Sequence, residues 1–220
     1  MKGEKTMRLY GFWRSSASWR VRIALHWKGL PHATIPLSLV AGEQHDAAYA
    51  AINPQGFVPF LVDGEAALGQ SLTIIEYLDE THPEPPLLPG GPIERARARM
   101  LAQTVACDIH PLNNLRVLKY VRRELGQEQA GVDAWARHWI APGFAALEAA
   151  AERACGLYLA GDAVTIADLC LVPQIYNARR VDTDLAPYPR LIAIEARLMA
   201  LPAFAETHPD RQPDAIPPAG

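Results

Sequence analysis

The chain has 220 residues, half hydrophobic and one-fifth charged, with a formal net charge of −3 and a pI near 6.2. That length allows one large domain or two small ones. The mild acidity argues against a nucleic-acid partner, and no uninterrupted apolar run approaches the roughly 18 residues of a membrane span. The charged start, Met1-Lys2-Gly3-Glu4-Lys5-Thr6, does not read as a secretory signal. Cys107, Cys155 and Cys170 are far apart and odd in number. They suggest no metal or redox pair and read as buried thiols of a reduced, cytoplasmic protein. No metal is expected.

Arg8 to Trp13 reads as a strand that delivers a serine-rich turn, Ser15-Ser16-Ala17-Ser18, onto a helix running to about Lys28. Trp19, Ile23 and Trp27 recur every four residues, as do Val21 and Leu25, so one broad face is apolar. Ser15 and Ser16 sit where N-caps belong and Gly29 where a C-cap belongs. A strand that feeds a helix N-terminus through hydroxyls makes a place for an anion. Ala33 to Leu37 is a second strand, placed on an edge by Pro36. Residues 42–51 read as a polar loop with a weak helix, and Asn53-Pro54-Gln55-Gly56 as a turn. Phe57 to Val62 is a strand that Asp63-Gly64 turns back through Ala66 to Leu68. Ser71 then N-caps a helix over Leu72 to Glu80. The order β-α-β-(α)-β-β-α is thioredoxin-like.

Residues 83–92 hold five prolines and two glycines and read as a semi-rigid linker. It divides an α/β domain, 1–82, from an all-α bundle, 93–220. In the bundle, a helix from Ile93 to about Glu124 should be kinked by Pro111. Further helices are expected over Ala134 to Ala154, Thr165 to Arg180 and Leu191 to Met199. Thr165-x-x-Asp168 is close to a capping box, which makes Asp168 a folding device rather than a base. The proline-rich tail from Pro209 to Gly220 is expected to be poorly ordered.

Three features converge if the first domain is thioredoxin-like. One is the serine turn. Another is Val58-Pro59, where a cis bond would present the backbone of Val58 to an extended peptide. The last is Gln70-Ser71, at a second helix N-terminus suited to a carboxylate. Each alone is equally a cap or an edge proline; their order and spacing are the stronger signal.

On these residues the chain resembles the glutathione transferase superfamily, and within it the zeta class of maleylacetoacetate and maleylpyruvate isomerases. The resemblance runs from Leu9 to Pro213 and rests most on Ser15 to Leu25. Asn53-Pro54, Val58-Pro59, Gln70-Ser71-Leu72, Ala167 to Gln174 and Asp184 to Pro189 add to it. Where that class commonly has cysteine, this chain has Ala17. That departure argues against reductive dehalogenation but not against isomerisation.

The resemblance implies a glutathione-dependent cis-trans isomerase that takes maleylacetoacetate to fumarylacetoacetate by reversible thiolate addition. Maleylpyruvate is the alternative substrate, and general transferase activity on α-haloacids the alternative chemistry. Ser15 would hydrogen-bond the thiolate, beside Ser16 and the N–H of Ala17, with Arg20 adding positive potential. Val58 would pair with the cysteinyl unit, Gln70 and Ser71 would hold the γ-glutamyl end, and Gln44 the glycine end. His110 and Asn114 would contribute from the helical domain, His110 reading equally well as a satisfied histidine. Arg14, Arg116 and Arg180 would bind the carboxylates of a small dicarboxylate and stabilise the enolate. A homodimer is the family expectation.

Overall fold

β1 (Met7–Gly11) runs through the middle of a four-stranded sheet in a computed structural model that describes residues 6–216. β2 (His32–Pro36) pairs with it in parallel, and β3 (Phe60–Asp63) pairs antiparallel to both β1 and β4 (Ala66–Gly69). The order β2-β1-β3-β4 leaves β2 on an edge. An edge is where Pro36, which cannot donate to a ladder, is tolerated. α1 (Ser16–Trp27) connects the parallel pair, a short α2 (Ala47–Ala50) precedes β3, and α3 (Ser71–Thr81) follows β4. This is the thioredoxin-like sequence of elements. Tyr10 lies opposite both Ile35 and Phe60, so the three share a sheet face. Tyr49 closes over that face, its ring 5.7 Å from that of Tyr10.

Boundaries differ from the sequence reading where the backbone turns. β1 stops at Gly11, which leaves Phe12 and Trp13 in the turn. β3 begins only at Phe60, after a cis Val58–Pro59 bond. The N-cap of α3 is Gln70, at φ 63°, and Ser71 is the first helical residue. α1 ends as expected around Gly29, whose φ of 63° lets the N–H of Leu30 reach Leu25 O at 2.9 Å.

α1 is buried nearly all round rather than on one face. Arg20 and Arg22 are buried along with Trp19, Val21, Ile23 and Leu25. One reason is α3, where Ser71 lies over Arg20; another lies at the other end of the chain. Through Pro86, joined by the segment from Leu201, the chain forms one compact unit; Leu87–Ala200 forms the other. The indole N–H of Trp19 donates to Thr207 Oγ1 at 3.0 Å, and α9 (Pro202–Ala205) buries Phe204. The C-terminal segment therefore belongs with the α/β unit, not with the helical bundle. The tail expected to be loose forms a 3-10 turn at Pro209–Arg211 and continues to Asp214, which bonds to Trp13. Residues 217–220 of that tail lie outside the described residues. The proline-rich stretch also divides earlier than its composition suggests. Leu87 and Leu88 are buried, the carbonyl of Leu87 accepts from Ile166 N–H at 3.0 Å, and Pro92 opens a helix.

The second unit contains α4 (Pro92–Gln103), α5 (Leu115–Arg123), α6 (Gln129–Ala154), α7 (Ile166–Arg180) and α8 (Pro189–Met199). The kinked helix expected across Pro111 is broken outright. A π-helical stretch, Thr104–Ile109, leads into a 3-10 turn at His110–Leu112, and α5 restarts beyond it. Pro111 has no N–H to continue the ladder, and Asn114 supplies the new cap. Of the cysteines only Cys170 is buried. Cys107 faces outward from the π-helical stretch, and Cys155 terminates α6 at φ 50°.

The capping box of α7 is formed, and it anchors more than the helix. Asp168 is fully buried. It accepts from Thr165 N–H at 2.8 Å, Thr165 Oγ1 at 3.1 Å and Leu159 N–H at 2.9 Å. Burial pushes its carboxyl up to about 6, against the opposing pull of these donors. Because that value is raised in the fold, the group's contribution is complete below its ordinary value, about pH 4, and is lost as pH rises through 6. Asp168→Asn should destabilise by about 1–3 kcal/mol at pH 4, because an amide cannot accept from all three donors. The gap between wild type and variant should narrow between pH 4 and pH 7 in urea unfolding. A gap that widened with pH would reverse the sign of this assignment.

Candidate functional site

The serine turn is gripped from three sides. Ser15 N–H closes it by donating to Phe12 O at 3.0 Å. Arg22 donates to Trp13 O at 2.8 Å and to Phe12 O at 3.4 Å. The N–H of Trp13 donates to Asp214 Oδ2 at 3.2 Å. Burial pushes Arg22 down to about 10, and Asp214 pulls it back up; it stays charged at neutral pH. Neither Arg22 nor Asp214 was singled out by sequence reasoning. A basic residue on the apolar helix was the available signal for Arg22; nothing local marks Asp214.

Ser15 is the N-cap of α1, and its Oγ accepts from Ser18 N–H at 3.2 Å. Capping uses the oxygen as an acceptor and leaves its proton to be donated, so a cap can also serve an anion. Ser15 and Ala17 are half-buried and Ser16 is buried. Among the described residues the N–H of Ala17 has no hydrogen-bond partner, and the first turn of α1 holds no acidic side chain. The helix therefore opens on an uncompensated positive end. Arg14 is half-buried, its guanidinium 5.3 Å from the centroid of the Trp13 ring.

The carbonyl of Phe57 accepts from Tyr49 Oη at 2.5 Å and from Asn53 Nδ2 at 2.8 Å. Those bonds fix the segment just before Val58. Among the described residues neither the N–H nor the C=O of Val58 is hydrogen-bonded. Tyr49 and the buried Asn53 were read from sequence only as a weak helix and a turn; the signal for Asn53 was the proline after it. Gln70 Nε2 donates to Gln55 Oε1 at 3.2 Å, and Ser71 Oγ accepts from Arg20 Nη1 at 3.2 Å. Arg20 thus lies beneath Ser71, buried, rather than in the open beside the serine turn. Gln44 is half-buried on the 3-10 turn Glu43–His45, with its Oε1 buried and unpartnered among the described residues. Glu43 holds that loop by accepting from Ser38 N–H at 2.6 Å.

The other expected residues belong to the second unit. His110 is half-buried on the 3-10 turn, one residue beyond the π-helical stretch. Asn114 accepts from Val117 N–H at 3.2 Å as the cap of α5. Arg116, in the first turn of α5, is exposed. Arg180 is exposed at the last position of α7. Its neighbour Arg179 makes a bidentate pair with Glu195, which raises the Arg179 guanidinium and occupies it.

The first unit matches the family model for the glutathione S-transferase N-terminal domain over residues 9–86. The whole chain is 50% identical to a probable maleylacetoacetate isomerase of Vibrio cholerae, across 94% of this chain and 97% of that one. The chain belongs to the zeta-class glutathione transferase family of maleylacetoacetate and maleylpyruvate isomerases. A solved bacterial zeta-class maleylpyruvate isomerase superposes with a TM-score of 0.93 at 45% identity, covering 95% of this chain and 100% of that one. A maleylacetoacetate isomerase from Methylobacterium extorquens, solved with malonate and glutathione bound, gives 0.91 at 43%, covering 95% and 99%. Within this zeta-class chain, the serine turn depends on a carboxylate about 200 residues distant. Asp214→Ala should lower stability by about 1 kcal/mol, the net value of one partly exposed charge-assisted bond. Urea unfolding checks this; an unchanged midpoint would show that Asp214 contributes nothing to the turn.

Proposed function

We propose that this protein is a glutathione-dependent cis-trans isomerase that converts maleylacetoacetate to fumarylacetoacetate in the breakdown of aromatic compounds. Maleylpyruvate is the second candidate substrate. The observation that carries the reading is Ser15. It is a half-buried hydroxyl that caps the positive end of α1 and keeps its proton for donation, in a chain half identical to a probable maleylacetoacetate isomerase. A relative solved with glutathione and malonate, and another solved with dicarboxyethyl glutathione and citrate, support the pairing of that thiol with a dicarboxylate.

The groups present fit glutathione. The N–H and C=O of Val58 suit the cysteinyl backbone, Gln70 and Ser71 suit the γ-glutamyl end, and Gln44 suits the glycine end. When bound, glutathione supplies the thiol that adds reversibly to the maleyl double bond. A free thiol has a pKa of about 8.5, so ionisation at neutral pH needs help. The end of α1 contributes roughly 0.3–2 kcal/mol. The Ser15 hydroxyl adds a charge-assisted bond, with Ser16 and the N–H of Ala17 beside it. Arg14, Arg116 and Arg180 hold the substrate's carboxylates, and Arg14 and Arg180 stabilise the enolate. His110 and Asn114 contact glutathione or substrate. Ala17 offers no thiol of its own, so reductive chemistry on α-haloacids is disfavoured.

We read the protein as a cytoplasmic homodimer. Exposed Ile93 and Met100, seven residues apart on one side of α4, support a covered face there. No helix among the described residues is long and apolar enough to cross a membrane.

An ultraviolet assay of both maleyl substrates, with and without glutathione, tests the reading; isomerisation that ignored glutathione would refute it. Ser15→Ala should raise the pKa of the bound thiol by about 1 unit and lower kcat/KM about 100-fold. A variant with wild-type turnover would remove Ser15 from the mechanism. Arg180→Ala should raise KM for the dicarboxylate about tenfold, as expected for one lost bidentate contact. An unaltered KM would remove Arg180 from the carboxylate clamp.

A further inference from the structure

Arg20 is a buried cation with too few partners. Its side chain belongs to a residue only 1% exposed. Nη1 donates to Ser71 Oγ at 3.2 Å, while Nε and Nη2 are buried with no hydrogen-bond partner among the described residues. No carboxylate among those residues pairs with it. A buried guanidinium with one neutral acceptor is costly unless a negative charge is brought near it.

Ser71 is where such a charge would come. It is the first residue of α3, a helix with no acidic side chain in its first turn. Orphan N–H groups and the helix dipole favour an anion there. The hydroxyl has one proton to give. Because Arg20 occupies an Oγ lone pair as donor, that proton is directed away from Arg20.

We propose that Arg20 is a positioning residue for carboxylate recognition at the start of α3. It orients and polarises the Ser71 hydroxyl so that the hydroxyl donates to the ligand's carboxylate, and it supplies the buried counter-charge. Arg20 acts through Ser71 and need not touch the ligand. This rests on the reading above, in which the γ-glutamyl end of glutathione lies at Gln70 and Ser71. It adds that the α-carboxylate, rather than the peptide as a whole, is what Arg20 selects.

The test is discrimination between glutathione and 4-aminobutyryl-cysteinyl-glycine, the same tripeptide without the α-carboxylate. Dissociation constants are measured by calorimetry for wild type, Arg20→Met, Arg20→Lys and Ser71→Ala. Wild type should prefer glutathione about 100-fold, the value of two charge-assisted bonds. Arg20→Met should reduce that preference at least tenfold while leaving affinity for the truncated peptide within about twofold. Arg20→Lys should recover part of the preference, because the charge is kept. An unchanged preference in Arg20→Met, or equal weakening of both ligands, overturns the proposal. If Arg20→Met does not fold, Arg20→Gln, polar but uncharged, decides: a preference reduced about tenfold supports the relay and an undiminished one overturns it, as does an undiminished preference in Ser71→Ala. Failure of wild type to bind glutathione would refute the functional reading itself. Binding without the predicted loss of preference would refute only the role of Arg20.

Discussion

Two guanidinium groups buried in α1 set the terms for the first unit. Burying a charge is costly unless its donors are used; Arg22 uses both terminal nitrogens on the carbonyls of Phe12 and Trp13, while its Nε has no partner among the described residues. Those carbonyls belong to the turn that carries Arg14 and Ser15. The helix whose positive end lies at Ser15 therefore also holds the backbone leading to that end. Asp214 completes the grip from the opposite end of the chain by accepting Trp13 N–H and facing Arg22.

A similar economy recurs around the sheet. Lys28, in the capping position of α1, places its ammonium on Asp79 at 2.8 Å and on the carbonyls of His82 and Pro85. That fixes the end of α1 against the end of α3 and the chain leaving it. Asn53 and Tyr49 meet on one carbonyl, Phe57 O, and so hold the approach to Val58. The serine turn and the segment before Val58 are thus each held by side chains of other elements. Ser15 caps α1 as an acceptor and, as a hydroxyl, still has a proton to donate.

In the second unit the polar anchor is Asp168, which ties the start of α7 to the loop at Leu159 and to Thr165. The break at Pro111 shows how a local rule yields a larger outcome than a kink. The missing N–H is met by a π-helical stretch before it and by a fresh cap, Asn114, after it. Capping occupies one acceptor of Asn114 and leaves its amide group for other contacts.

Much of this was legible in the sequence because the signals are local. Periodicity placed α1, Ser71 marked the start of α3, Asp63-Gly64 placed the β3–β4 hairpin, Pro36 marked an edge strand, and Thr165-x-x-Asp168 marked a cap. The serine turn and the positive helix end were likewise legible as a place for an anion. What only the tertiary structure decided depends on residues far apart in the chain. The apolar pattern of α1 implied one buried face, and α3 together with the return of Leu201 onward buried the rest. Arg20 read as a general source of positive potential until the packing of α1 beside α3 put it beneath Ser71. Asp214 sat in a tail whose composition suggested looseness, and only its contact with Trp13 makes it part of the turn. Composition and spacing determine which groups are available and how each helix begins and ends. Which buried charge meets which acceptor depends on long-range closure, and no window of neighbouring residues contains it.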